Sequence, residues 1–170
     1  MLRNYLRIKI ALCGEGGVGK TSLAIVFTEG KFREPKLTVG IFHFTKVINY
    51  SGREVRVVLW DLGGEHRFRF LAPVFLRGAK GVVYVFDVTR PATLAKLRDW
   101  IEIVEKTIGR VPSVIVGNKI DLKDRYLIDS EVVRKFAETY GFQYFETSAK
   151  LNINVEKPFL YLLKELVENI

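Results

Sequence analysis

Residues 14 to 21 read GEGGVGKT; they follow an apolar run, 6 to 13 (LRIKIALC), and lead into a helical pattern, 20 to 29 (KTSLAIVFTE). This is G-x-x-x-x-G-K-[ST] set between a strand and a helix, the context that motif requires. Gly14, Gly16, Gly17 and Gly19 let the backbone turn tightly, so successive N–H groups can converge on phosphate oxygens at the positive end of the helix. Lys20 is placed to neutralise terminal phosphates, and Thr21 to offer its hydroxyl to Mg²⁺. The loop specifies a nucleoside triphosphate and leaves the base open.

The same alternation continues along the chain. Residues 55 to 60 (VRVVLW), 81 to 88 (GVVYVFDV) and 113 to 117 (SVIVG) are short apolar runs, the last two β-branched enough to be buried on both faces of a sheet. Helical patterns lie at 93 to 108, 130 to 140 and 155 to 168. Strands alternating with helices predict an open α/β sheet. One pair departs from this: 41 to 50 (IFHFTKVINY) and 53 to 60 (REVRVVLW), joined through SGR, read as an antiparallel hairpin at a sheet edge. Pro158 falls near the first turn of the last helix, where a missing amide donor costs least, and some distortion is expected there if that helix starts at about Asn154.

Composition narrows the classes. The 170 residues suit one domain, 1–170, able to bury a core without disulfides or a structural metal. No apolar run approaches the roughly 20 residues of a membrane helix. The single cysteine, Cys13, lies in an apolar segment and reads as a buried spectator thiol, and His43 and His66 have no partner at zinc-ligand spacing. An intracellular, cytoplasmic chain is expected. The net charge of +8 is spread through the sequence without a run of like charges, so a polyanionic ligand in one pocket would account for it. RFRF at 67 to 70 has the basic-aromatic interleaving of a nucleic-acid surface, but a place in the segment of about 62–76, read below as one of two switch segments, is preferred, and no DNA partner is expected.

A second loop favours guanine as the base. GNKID at 117 to 121 directly follows an apolar strand, placing Asn118 and Asp121 at the carboxyl edge where open α/β sheets bind ligands. A carboxylate at Asp121 can accept from N1–H and the exocyclic amino group of guanine; adenine would oppose it with an acceptor at N1. ETSAK at 146 to 150 follows another strand pattern, and Ala149 can offer its N–H to the guanine O6.

With these motifs in this order, the chain resembles the Ras-like small GTPases, most of all the Rab branch, through GEGGVGKTSL, LWDLGGEHRF, LRGAKGVVYVFDVT, VGNKIDL and ETSAK. The resemblance implies a P-loop NTPase of the Ras-like kind: a six-stranded, mostly parallel sheet with one antiparallel edge strand and about five helices. It implies GTP and GDP as ligands, Mg²⁺ as cofactor, and a nucleotide site of Gly16, Gly17, Val18, Gly19, Lys20, Thr21, Ser22, Phe32, Thr38, Gly64, Asn118, Lys119, Asp121, Ser148, Ala149 and Lys150. By the same likeness Asn118 contacts the base and braces the phosphate loop, the Lys119 stem lies on the base face, Ser148 supports Asp121, and Phe32 packs edge-on against the guanine. Thr21, Thr38 and Asp61 are the implied metal site, Asp61 acting through water. Thr38 and the Gly64 N–H would meet the γ-phosphate, so its loss would release two segments, about 32–41 and 62–76, to be read by effectors, an exchange factor and a GTPase-activating protein.

Departures from the family pattern are specific. The segment from Phe32 to Thr38 is one residue shorter than in typical members, and His43 stands where the Rab pattern has an aromatic partner for Trp60 and Phe75. Phe44 could replace it only by a register change that flips its face. The chain ends at LVENI without a prenylation cysteine, so any membrane association is expected to be indirect. Arg33 and Lys36 lack the spacing of an arginine finger.

Glu65 replaces the glutamine that orients the attacking water. A carboxylate only accepts, whereas an amide also donates. It could serve as a general base, yet a negative group about 4 Å from a phosphate oxygen costs on the order of 4 kcal/mol per charge pair at an effective dielectric of 20, before Mg²⁺ and Lys20 offset it. The catalytic set is therefore Glu65, Lys20, Thr38 and Gly64, with slow GTP hydrolysis as the leading expectation. A nucleotide-loaded binding module with little hydrolysis and an RNA- or ribosome-associated GTPase are the alternatives.

Overall fold

A computed structural model describes residues 5–36, 39–125 and 128–170. Six strands form one sheet: β1 (Leu6–Cys13), β2 (Ile41–Tyr50), β3 (Arg53–Leu62), β4 (Gly81–Asp87), β5 (Ser113–Asn118) and β6 (Gln143–Glu146). Their spatial order is β2-β3-β1-β4-β5-β6, with β2 antiparallel to β3 and every other pairing parallel. The expected edge hairpin is present. Its two-residue turn, Ser51 (φ 50°) and Gly52 (φ 78°), has both central residues left-handed, the conformation whose twist matches the flanking strands.

The helices among the described residues are α1 (Lys20–Glu29), the short α2 (Ala72–Leu76) and α3 (Pro91–Ala95), α4 (Leu97–Ile108), α5 (Ser130–Tyr140) and α6 (Glu156–Glu168). The period of two along each strand decides which of them it meets. In β4, Val83 and Val85 turn to one side with Leu23 and Phe27 of α1 and Phe159 and Leu163 of α6. Val82, Tyr84 and Phe86 turn to the other, with Phe75 of α2, Trp100 and Val104 of α4, and Val133 of α5. The sheet is thus covered on both faces, as its buried apolar strands require. Phe27 and Phe159 stack with ring centroids 4.3 Å apart, joining α1 to α6.

Two local expectations need correction. The pattern read as one helix over 93–108 is two, meeting at Lys96, and it begins at Pro91, whose fixed φ suits a first helical position. The last helix starts at Glu156 instead of Asn154, and Pro158 sits in its first turn, where its missing N–H has no intrahelical acceptor to lose. At Trp60 the register argument holds. No register change brings Phe44 to it: Phe44 pairs with Leu59 and packs in the α1 and α6 core, while the His43 ring lies against the indole, tilted by 35° with centroids 3.9 Å apart.

Candidate nucleotide-binding site

The carboxyl ends of β1, β3 and β5 and the loop after β6 converge on a cleft of about 480 Å³. Its phosphate-loop wall is Gly16, Gly17, Gly19, Lys20, Thr21 and Ser22, and its opposite wall is Asn118, Lys119, Asp121, Ala149 and Lys150. Phe32, Gly64 and Glu65 complete it, with Glu34, Pro35, Lys36 and Leu122, which the sequence reading did not place in the site. Thr38 lies outside the described residues. Val18 and Ser148 are fully buried behind the wall instead of lining it, and they act through their bonds.

The phosphate loop is shaped from within. Lys20 is 5% exposed, and its amino group donates to the carbonyls of Gly14 at 3.0 Å and Glu15 at 2.9 Å, closing the loop around itself. Burial pushes the Lys20 pKa below the ordinary lysine range, while the negative charge of Asp61 pulls it partly back. A buried, desolvated ammonium gains most from an anion brought beside it. Thr21 donates its hydroxyl to Asp61 Oδ2, so the α1 start and the β3 end meet at one hydroxyl and one carboxylate. Both are hard oxygen donors of the kind Mg²⁺ takes, and few protein ligands suffice for a metal that retains waters and phosphate oxygens. Next to the loop, the Cys13 thiol is buried and pushed up to about 12 by that burial, so it is no nucleophile.

The wall from Asn118 to Lys150 is tied to the phosphate loop by side chains. Asn118 donates to the Val18 carbonyl at 3.0 Å, and its amide oxygen accepts from Thr147 Oγ1 at 3.0 Å and from the Ala149 N–H at 3.2 Å. Ser148 donates to Asp121 Oδ1 at 2.7 Å, fixing that carboxylate, and accepts from the Leu151 N–H at 3.1 Å. Lys119, left-handed at φ 71°, sends its ammonium to the Gly17 carbonyl at 2.7 Å and to Asp87 Oδ2 at 3.0 Å. Burial opposes ionisation of Asp87, yet bonds from the Thr89 hydroxyl and N–H, with the Lys119 ammonium, outweigh it and hold the carboxyl below its usual value.

Asp87, Thr89 and Thr147 were not singled out from the sequence. Asp87 had a visible signal, as the charged end of a strand whose seven residues are all buried. Arg90, whose guanidinium donates to the Gly16 carbonyl at 3.2 Å, had none. The second segment, 62–76, carries a 3₁₀ helix, His66–Leu71, that no periodicity announced. Gly64 lies so close to the phosphate loop that an added Cβ would sit 2.2 Å from the Gly16 nitrogen. Glu65 pairs with Arg67 at 2.8 Å, both side chains substantially exposed.

A doubly covered sheet with a phosphate loop at its first carboxyl end and an Asn-Lys-x-Asp loop braced against it defines a small GTPase. The Ras family model matches residues 9–168. Ras-related protein Rab-21 from Mus musculus is 37% identical over 162 residues, covering 94% of this chain and 73% of that protein. Ras-related protein Rab-8A from Rattus norvegicus is 36% identical over 165 residues, covering 96% and 79%. The chain belongs to the Ras family, on the side of the Rab branch, and is a GTP- and GDP-binding switch protein of that family.

Proposed function

We propose that this protein is a guanine-nucleotide switch that binds GTP and GDP with Mg²⁺, hydrolyses GTP slowly, and signals through residues of about 32–41 and 62–76. The observation that carries the reading is the Asn118 brace to the Val18 carbonyl, which supports one ligand whose base and phosphates are held by a single connected frame. In this reading the loop N–H groups of Gly16, Gly17, Val18 and Gly19, with Lys20 and Ser22, hold the phosphates. Asp121 takes the guanine edge, Ala149 the O6, and Lys119, Lys150 and Phe32 enclose the base. Thr21 and Asp61, with Thr38 by family resemblance, would hold the metal. When bound, Mg²⁺ supplies charge neutralisation at the β- and γ-phosphates.

Residues 1–170 act as one G domain in this reading. Effectors and regulators, an exchange factor and a GTPase-activating protein, would read the two segments. Exposed apolar side chains there, Val39 at 58%, Phe70 at 76% and Val74 at 62%, support a surface that a protein covers. The proposed setting is the cytoplasm, with any membrane contact made through a partner; among the described residues no helix is long and apolar enough to cross a membrane.

Glu65 is proposed to set the hydrolysis rate by accepting from the attacking water. The second reading, a loaded module with little turnover, draws on the Glu65–Arg67 pair, which engages the carboxylate elsewhere. Single-turnover hydrolysis with Mg²⁺ separates them. Glu65→Ala should slow turnover by about tenfold or more while Glu65→Gln retains it; an unchanged rate in Glu65→Ala removes Glu65 from the chemistry, and a wild-type protein that retains its GTP leaves the module.

A further inference from the structure

Glu15, the second residue of the phosphate loop, serves that loop through its carbonyl's bond to Lys20, while its side chain has a separate role, and three elements meet on it. Its Oε1 accepts from Arg69 Nη2 at 2.9 Å and from Trp100 Nε1 at 3.3 Å. Arg69 comes from the 3₁₀ helix of the second segment and Trp100 from α4. The other Arg69 terminal nitrogen lies 3.6 Å from Asp99 Oδ2, and the guanidinium centre is 5.4 Å from the Trp100 ring. Whereas the Glu65–Arg67 pair is 40% and 63% exposed, the side chains of Arg69 and Glu15 are 18% and 23% exposed, so water screens this pair less. RFRF, read from the sequence as one surface string, is therefore divided: Phe70 faces out and Arg69 faces the phosphate loop.

Glu15 also works through its backbone. Its carbonyl accepts from Lys20, and an added Cβ on Gly64 would lie 2.3 Å from its carbonyl carbon. The residue that Arg69 grips is thus the one on which Gly64 rests, and Glu65 is only four positions before Arg69.

Resting on the GTPase reading above, we infer that Arg69 is a positioning residue for hydrolysis: through Glu15 it pins the second segment to the phosphate loop and holds Gly64 and Glu65 at the phosphate end of the cleft. Trp100, bonded to the same carboxylate, closes the link from α4. The guanidinium fork makes the arrangement specific, because one nitrogen serves Glu15 while the other faces Asp99.

The chain has two tryptophans, so a Trp60→Phe background leaves Trp100 as the sole indole reporter. In that background Arg69→Ala should lower the single-turnover rate by on the order of tenfold to a hundredfold, the scale of a small misplacement of reacting groups. GDP dissociation should stay within about twofold, since the base-side braces are untouched, and Trp100 emission should shift. Arg69→Lys should recover part of the rate. Arg69→Ala and Glu15→Ala combined should be no slower than the slower single variant, because both break one link. An unchanged rate in Arg69→Ala, additive losses in the pair, or an equal loss of GDP affinity overturns the inference. Circular dichroism and retained GDP binding check that each variant folds. Wild-type protein that turns over no GTP overturns the functional reading and this inference together, whereas turnover that survives Arg69→Ala overturns the inference alone.

Discussion

An added Cβ at Gly19 would lie 2.2 Å from Asn118 Nδ2, the atom that donates to Val18, and the backbone there is left-handed at φ 99°. Gly19 therefore carries two requirements at once, a backbone shape that L side chains rarely adopt and a clearance no side chain can share. Gly52, equally left-handed at φ 78°, has nothing within 4 Å of the same added atom. Gly19→Ala should break the brace between the base-side loop and the phosphate loop. The expected result is a loss of about 1–3 kcal/mol of stability, the cost of holding a strained backbone, together with a sharp fall in GDP affinity. Thermal unfolding and GDP titration check both, and a variant with normal GDP affinity would contradict the role given to the Asn118–Val18 bond.

Among the elements, α6 closes one side of the sheet chiefly through Phe159, fully buried and stacked on Phe27 of α1. Phe159→Ala should cost about 3–5 kcal/mol, read by urea unfolding with GDP present, because the two helices and the sheet cannot collapse around the gap. A loss below about 1 kcal/mol would show that α6 is held by other contacts. The elements differ in how plainly the sequence announces them. The β2–β3 hairpin was legible because alternation and turn chemistry are both local. That Gly14 to Thr21 and Asn118 to Asp121 would meet at one cleft was legible because each is a contiguous motif directly after a strand's carboxyl end. The Lys119–Asp87 pair and the Glu15–Arg69–Trp100 cluster were not, since each joins residues far apart in sequence, from separate elements, and depends on the sheet order to meet. The 3₁₀ helix over His66–Leu71 has no buried residue, so it lacks the apolar period that reveals a packed helix.

At the scale of the whole molecule, the expectation that one polyanion pocket accounts for the positive charge needs revision. The residues lining the cleft include four lysines, Lys20, Lys36, Lys119 and Lys150, against the carboxylates Glu34, Glu65 and Asp121, so most of the net +8 lies elsewhere. Part of it stands on the sheet side of β1 and β3, where Arg7 and Arg56 share a register row and Lys9 lies two residues on, its ammonium 3.4 Å from the Trp60 ring centre. Binding is still expected to act on the entire fold, because the cleft draws on the ends of β1, β3 and β5 together. Raising free GDP to a hundred times its dissociation constant should add about 2.7 kcal/mol to unfolding, with a melting temperature that climbs with GDP and not with ATP. Equal shifts with both nucleotides would remove the base discrimination assigned to Asp121.

The Lys119 ammonium, shared between the Gly17 carbonyl and the Asp87 carboxylate, bears on the entropy of association. Its bonds run from protein to protein, as do those of Asn118 and Ser148, so the wall that receives the base is ordered by the fold itself. A ligand meeting that wall forfeits little conformational freedom on the protein's behalf. On the proposed function, the ordering cost of binding would then fall on the phosphate end, in the two segments that a partner would read. In that reading the molecule would hold its nucleotide by one half and leave the free-energy difference between two ligands to the other.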